Sequence, residues 1–236
     1  MLAGIPLGPM YFAYHPDAHF IYSVHPEFDQ LFRRFRRNNR TNNGGDLPRL
    51  WAMVLNVKKV LAEDVKGDFA ELGVWRGNTA AVLAHYAVAH GRDIFMFDTY
   101  SGFDNRDLTG IDAEKLASFA DTSVSLVMQT VGIDSPHCHY VRGRFPESVS
   151  DVHSQATFAV VSLDCDLYEP MKAALEFFYP RTSRGGILLL HDYSNEYWDG
   201  ARKAIDEFCA RENEFVVLVP DKSGSAFIRK SRNTPI

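Results

Sequence analysis

The feature that most constrains this chain is a regular alternation of short apolar runs with longer amphipathic ones. Seven runs read as strands, over 68–72, 93–97, 139–142, 158–163, 186–190, 216–219 and 226–229. Helical periodicity fills 47–66, 79–90, 112–131, 168–179 and 198–211 between them. Strands joined through helices pair in parallel, because the crossover returns the chain to the same end of the sheet. Only the turn-forming residues 220–224 separate the last two runs, which implies a hairpin. The expected fold is therefore a doubly wound α/β unit. It has a mostly parallel seven-stranded sheet, helices on both faces and one antiparallel edge strand.

Residues 1–45 break this rhythm. They are aromatic and histidine-rich over 11–25, basic over 33–40 and turn-rich over 41–46. We read 1–45 as an extension added to a main domain over 46–236, acting as a lid or a dimer contact. His15, His19 and His25 would then line a substrate mouth. The basic cluster Arg33, Arg34, Arg36, Arg37 and Arg40 is interleaved with Leu31, Phe32 and Phe35 at helical spacing. That pattern describes the solvated face of an amphipathic helix better than a nucleic-acid surface.

A net charge of -5 gives no general attraction to phosphate backbones or anionic lipid, so neither nucleic acid nor membrane is an expected partner. Cys138, Cys165 and Cys209 are far apart and form no CxxC pair, which speaks against a disulfide framework or a zinc knuckle. With no run of roughly 18 apolar residues and no leader pattern at the start, the expected location is the cytoplasm.

Ligands of open α/β sheets bind beyond the carboxyl ends of the strands. After the first strand comes Glu71-Leu-Gly73-Val-Trp-Arg-Gly77-Asn-Thr79, whose glycines allow a tight turn and a close backbone approach. The second strand ends at Asp98, where a carboxylate can accept hydrogen bonds from ribose hydroxyls. Both features point to a nucleoside-containing ligand. An acidic Glu71 beside the turn disfavours a pyrophosphate and favours a cofactor with a positive centre, such as S-adenosylmethionine.

The fourth and fifth strands run into Asp164-Cys-Asp166 and His191-Asp192-Tyr193. Adjacent parallel strands place Asp164, Asp166, His191 and Asp192 on one rim, and crowded carboxylates need compensation. A divalent cation supplies it, and oxygen donors suit Mg²⁺. Alternatively, Asp166 or Asp192 caps the next helix. Tyr168 and Glu169 either reach this rim or simply start a helix. His137 and His139 read as strand-end surface residues. Phe177, Phe178, Tyr179 and Trp51 read as core or as a contact between subunits.

ELGVWRGNTA, FDTYSGFD and LDCDLYEPMKAALEFFYPRTSRGGILLLHDY together resemble the macrocin O-methyltransferase family, over roughly 67–193. The resemblance implies a Rossmann-like class I methyltransferase that methylates hydroxyls on natural-product sugars, using S-adenosylmethionine and a metal. It implies cofactor contacts at Glu71, Gly73, Trp75, Gly77, Thr79 and Asp98, with Ser101, Gly102, Arg144 and Phe145 nearby. It further implies metal ligation by Asp164 and by the pair His191 and Asp192. Here the chain departs from the family's Asp-Asp-Tyr, and imidazole is a poor ligand for Mg²⁺. Three readings stay open: His191 steps back to serve as a base or to support a ligand from behind, the ion is a softer one such as Mn²⁺ or Fe²⁺, or metal dependence has been lost.

The implied reaction is displacement at the sulfonium methyl by a hydroxyl of a small molecule. His191 is the expected base, with Asp164 and Asp166 as rivals. The competing classes are a same-fold enzyme with another reaction, such as a hydroxylase or a metal-independent N-methyltransferase, and a non-catalytic cofactor-binding protein. An aromatic extension packing across a two-fold axis would make the chain a homodimer.

Overall fold

The computed structural model describes residues 27–116 and 118–231. The lid expected from His15, His19 and His25 lies outside them. In chain order the helices are α1 (Phe28–Arg36), α2 (Arg40–Asn43), α3 (Leu47–Ala62), α4 (Asn78–Ala89), α5 (Val124–Val131), α6 (Asp151–Gln155), α7 (Tyr168–Arg181) and α8 (Asp199–Glu212). The strands are β1 (Asp68–Leu72), β2 (Ile94–Asp98), β3 (Cys138–Arg142), β4 (Phe158–Leu163), β5 (Thr182–Leu190), β6 (Val217–Leu218) and β7 (Ala226–Arg229).

They form one seven-stranded sheet in the order β3-β2-β1-β4-β5-β7-β6. The first five pair in parallel. Antiparallel pairing gathers at one edge, where β7 lies between β5 and β6 and opposes both. Side chains alternate across the sheet as strand geometry requires. Ile94, Met96, Val160, Ile187 and Leu189 face a core closed by α1, α3, α4 and α5. Phe95, Phe97, Val161, Leu163, Leu188 and Leu190 face a second core under α7 and α8.

Two expectations change. Helical pattern over 112–131 contracts to α5, because Asp112 leaves the run to accept the Tyr168 N–H at 2.7 Å at the start of α7. Ser123 then starts α5 by accepting the Leu126 N–H at 3.1 Å. The boundary drawn at residue 45 does not interrupt the core. Phe28, Leu31 and Phe35 of α1 are buried together with Leu50 and Val54 of α3, while Arg33, Arg36, Arg37 and Arg40 stay exposed. Among the described residues, no helix is long and apolar enough to cross a membrane.

Candidate active site

Strand order reverses between β1 and β4, so their carboxyl ends frame a crevice. Backbone hydrogen bonds carry the sheet one residue further. Gly73 N–H donates to Phe97 O at 3.0 Å, Asp164 N–H to Leu72 O at 2.9 Å and His191 N–H to Leu163 O at 2.9 Å. Asp98, Gly73, Asp164 and His191 therefore stand in one row along an open cleft of about 1180 Å³, its mouth included.

At one end, Gly73 has φ +86°, and a Cβ there would sit 1.9 Å from Asp164 O. Only glycine fits. Trp75, at φ +44°, turns its N–H onto Asp98 Oδ2 at 2.8 Å, and Tyr100 N–H reaches Oδ1 at 2.6 Å. A carboxylate has about four acceptor positions, so Asp98 retains lone pairs for ribose hydroxyls. Burial raises its pKa, and these two N–H groups pull it back. Glu71 is 1% exposed and its Oε2 has no partner among the described residues. Burial and then the charge of Asp164 push its carboxyl well above the usual range. A cationic ligand would satisfy that oxygen and restore the carboxylate, so these residues fit S-adenosylmethionine.

Most of the other expected cofactor residues are placed here. Thr79, Gly102, Arg144 and Phe145 line the cleft. Arg144 is held by Asp107 Oδ1 at 3.0 and 2.6 Å, and Phe145 packs on Phe97 with ring centroids 5.6 Å apart. Two residues are placed otherwise. Gly77 shapes the turn as the left-handed residue before α4 and does not line the cleft. Ser101 faces solvent, and Thr99 takes its place in the wall.

At the other end the expected rim is assembled. Asp164, His191 and Asp192 bring their donor atoms within 4.8 Å of one another. His191 Nδ1 lies 2.6 Å from Asp192 Oδ2 and 2.5 Å from Asp164 Oδ1. Arg49 Nη2, from the first turn of α3, lies 2.8 Å from Asp164 Oδ2, and Asn195 Nδ2 donates to Asp192 Oδ1 at 2.7 Å. Burial would protonate Asp164, but the charges of His191 and Arg49 win and hold it below the usual carboxylate range. Burial and Arg49 oppose a charged His191, yet Asp164 and Asp192 outweigh them and lift it to about 10. Asp166 is pushed well above its ordinary value by burial and then by Asp192 and Asp164. The two carboxylates thus favour the protonated imidazole of His191.

The same shift fixes a pH dependence. Unfolded, His191 titrates near 6.5; folded, near 10. Its stabilisation is complete below about 6.5 and is lost as pH rises through 10. The lowered pKa of Asp164 acts in the opposite sense: its contribution is present above about 3.9 and disappears as pH falls through the folded value. Tm should therefore decline from neutral pH to pH 10, and His191→Asn should flatten that slope. An unchanged Tm across this range in the unaltered chain would contradict the assignment.

Sequence reasoning missed Arg49, Asn39, Asn42, Phe119, Asn195 and Trp198, all of which line the cleft. One signal for Arg49 was available. A cation in the first turn of a helix opposes the helix dipole, so it needs a nearby anion. The aromatic residues are joined by geometry alone. Phe119 meets Trp75 at 5.1 Å and Phe103 at 5.2 Å, and Phe103 meets Trp198 at 5.6 Å. His137 and His139 do not line this cleft and are paired with Asp93 at 2.8 and 3.1 Å.

A divalent cation at this rim would draw on Asp164, His191 and Asp192. All four oxygens of Asp164 and Asp192 already face Arg49, His191 or Asn195, and the third ligand would be a ring nitrogen. Mg²⁺ prefers oxygen donors and keeps several waters. These residues do not fit Mg²⁺.

The family model described as Macrocin-O-methyltransferase (TylF) matches residues 36–218. The chain belongs to the macrocin O-methyltransferase family. It is an S-adenosylmethionine-dependent O-methyltransferase. It is 29% identical over 210 residues to the 8-demethyl-8-(2,3-dimethoxy-alpha-L-rhamnosyl)-tetracenomycin-C 4'-O-methyltransferase of Streptomyces olivaceus, covering 83% of this chain and 78% of that one. It is 26% identical to the demethyldecarbamoylnovobiocin O-methyltransferase of Streptomyces niveus, covering 66% and 63%. Among solved structures, the O-methyltransferase NovP shares the fold at a TM-score of 0.68 and 23% identity, covering 79% of this chain and 81% of that one. The calicheamicin methyltransferase CalS11 shares it at 0.61 and 22% identity, covering 97% and 98%.

Proposed function

We propose that this macrocin O-methyltransferase family member methylates a sugar hydroxyl on a glycosylated natural product, with Asp164 as the proton acceptor. The observation that carries this reading is one continuous cleft. It joins the Glu71 and Asp98 end to the Asp164 carboxylate, and Asn39, Asn42, Asn195 and Trp198 line the same cleft. Carboxamides both donate to and accept from hydroxyls, and aromatic faces cover the apolar part of a glycoside. The name of the Streptomyces olivaceus relative, with its rhamnosyl group and 4'-O position, supports the same acceptor class.

When bound, S-adenosylmethionine supplies an electrophilic methyl on a cationic sulfur. Glu71 and Asp98 hold the cationic and ribose parts, so the chain spends no motion on alignment at the moment of reaction. The acceptor oxygen gains positive charge as it takes the methyl, and its proton becomes strongly acidic. A carboxylate of low basicity then suffices, provided that it is in place. Asp164 supports that role as the most open member of the rim, with its side chain 20% exposed against 12% for His191 and 3% for Asp192. Arg49 and His191 fix its orientation. Burial and the charges of Asp192 and Asp164 raise the pKa of Asp166, which favours its protonated form.

The test is transfer of a labelled methyl from S-adenosylmethionine to three acceptors: a rhamnosylated polyketide, the free sugar and a catechol. Label is expected on the sugar of the glycoside. Label on the catechol alone would replace the sugar reading with a phenol one. Asp98→Ala should weaken S-adenosylmethionine binding by about 10- to 100-fold in calorimetry, because hydrogen bonds to a charged group contribute about 1.5–3 kcal/mol each. Unchanged affinity would remove Asp98 from the cofactor site.

A further inference from the structure

Three carboxyl groups, Asp164, Asp166 and Asp192, meet under the cleft, and burying them together requires positive charge nearby. Arg49 provides one such charge from a fixed position. Its helix is anchored by Asp46, whose Oδ1 accepts the N–H groups of Arg49 and Lys222, both at 3.3 Å. The guanidinium itself stands 5.7 Å from the centre of the Phe35 ring and contacts Asn43 Oδ1 at 3.5 Å. Its Nη2 then reaches Asp164 Oδ2 at 2.8 Å. His191 lies against the opposite oxygen of Asp164 and also bridges to Asp192.

We infer that Arg49 and His191 together replace the divalent cation, so that this site takes no metal, and that Arg49 is the positioning residue that aims Asp164 at the acceptor. A metal would put two charges at one point between Asp164 and Asp192. This chain instead engages both oxygens of Asp164, with Arg49 Nη2 at Oδ2 and His191 Nδ1 at Oδ1. One consequence concerns the acceptor. A chelated metal selects neighbouring hydroxyl pairs, whereas a bare carboxylate needs only one hydroxyl. Sugars methylated at an isolated hydroxyl should therefore remain substrates.

The inference rests on the methyl-transfer reading only for its turnover arm; metal binding decides it independently. The probe is Mn²⁺ alone, followed by loss of the free-ion electron paramagnetic resonance signal. The unaltered full chain should leave that signal unchanged. Arg49→Met combined with His191→Asp, which restores a three-carboxylate set, should bind Mn²⁺. Turnover of the unaltered chain should stay within about twofold in chelator, whereas a reaction assisted by a metal would lose about a hundredfold or more. Arg49→Lys, which keeps the charge, should retain kcat far better than Arg49→Met, with S-adenosylmethionine affinity alike in both. Stoichiometric Mn²⁺ binding by the unaltered chain, or turnover lost in chelator and restored by metal, would overturn the inference. No turnover under any condition, with no Mn²⁺ bound, would count against the proposed acceptor and leave the charge assignment standing.

Discussion

Replacing Asp164 with asparagine should lower kcat by about a thousandfold, within the range that a positioned general base contributes, while S-adenosylmethionine binds almost as before. The shape is kept and the proton acceptor is lost. The change also strands Arg49, a buried cation whose salt bridge to Asp164 spans 2.8 Å. Breaking one side of a buried pair costs about 3–5 kcal/mol, so Tm should fall as well. The two effects separate in single-turnover experiments below the melting range. His191 loses one of the two carboxylates that lift it to about 10, so its pKa should move back toward 6.5. Residual activity of the variant should then rise with pH through neutrality as the imidazole becomes a base. A kcat within tenfold of the unaltered enzyme would remove Asp164 from the role of proton acceptor.

Gly73→Ala should be nearly as severe for a different reason. The added methyl would lie 1.9 Å from Asp164 O and 2.5 Å from Asp164 C, both of them backbone atoms that no rotamer change can move away. The φ of +86° adds strain of its own. β1 and β4 would have to separate where the cofactor and proton-transfer ends of the cleft meet. A cost of about 3–5 kcal/mol is expected, which in a chain of this size lowers Tm by about 10 °C. Cofactor binding should disappear even in the folded fraction. An alanine variant with unchanged Tm and affinity would show that β1 and β4 are not in this register.

Much of this was legible in the sequence, and the reasons are specific. The βα rhythm located the strands because buried parallel strands are short and apolar, as in Phe158-Ala-Val-Val-Ser-Leu163. Asp98, Asp164, His191 and Asp192 could be placed on one rim because strand ends in a parallel sheet share a side. Asp112 could not be foreseen, since its partner Tyr168 N–H lies 56 residues away. Arg49 and Asp164 are 115 residues apart, and no local pattern pairs them. His191 was expected as a base from its ordinary pKa; the rim of carboxylates was legible, but the 2.5 and 2.6 Å approach of Asp164 and Asp192 to one ring nitrogen was not. The amphipathic pattern of α1 was legible, but which core its apolar face joins was not, because Phe28, Leu31 and Phe35 pack with residues of α3 and α4 that no local pattern links to them.

The insertion of β7 between β5 and β6 dictates when the enzyme can be finished during synthesis. β5 delivers His191 and Asp192 to the cleft, and its Leu188 and Leu190 pair with Ile228 and Ala226. The turn before β7 brings Ser223 to the cleft wall and offers Gly224 O to the Ser194 N–H at 2.8 Å. A nascent chain that has just released β6 therefore carries β5 as an open edge, with the rim held from one side only. Such edges invite pairing with other chains. The residues that close the proton-accepting half of the cleft thus depend on a strand made after all the others, so an interrupted translation product would expose the apolar β5 edge before it could transfer a methyl group.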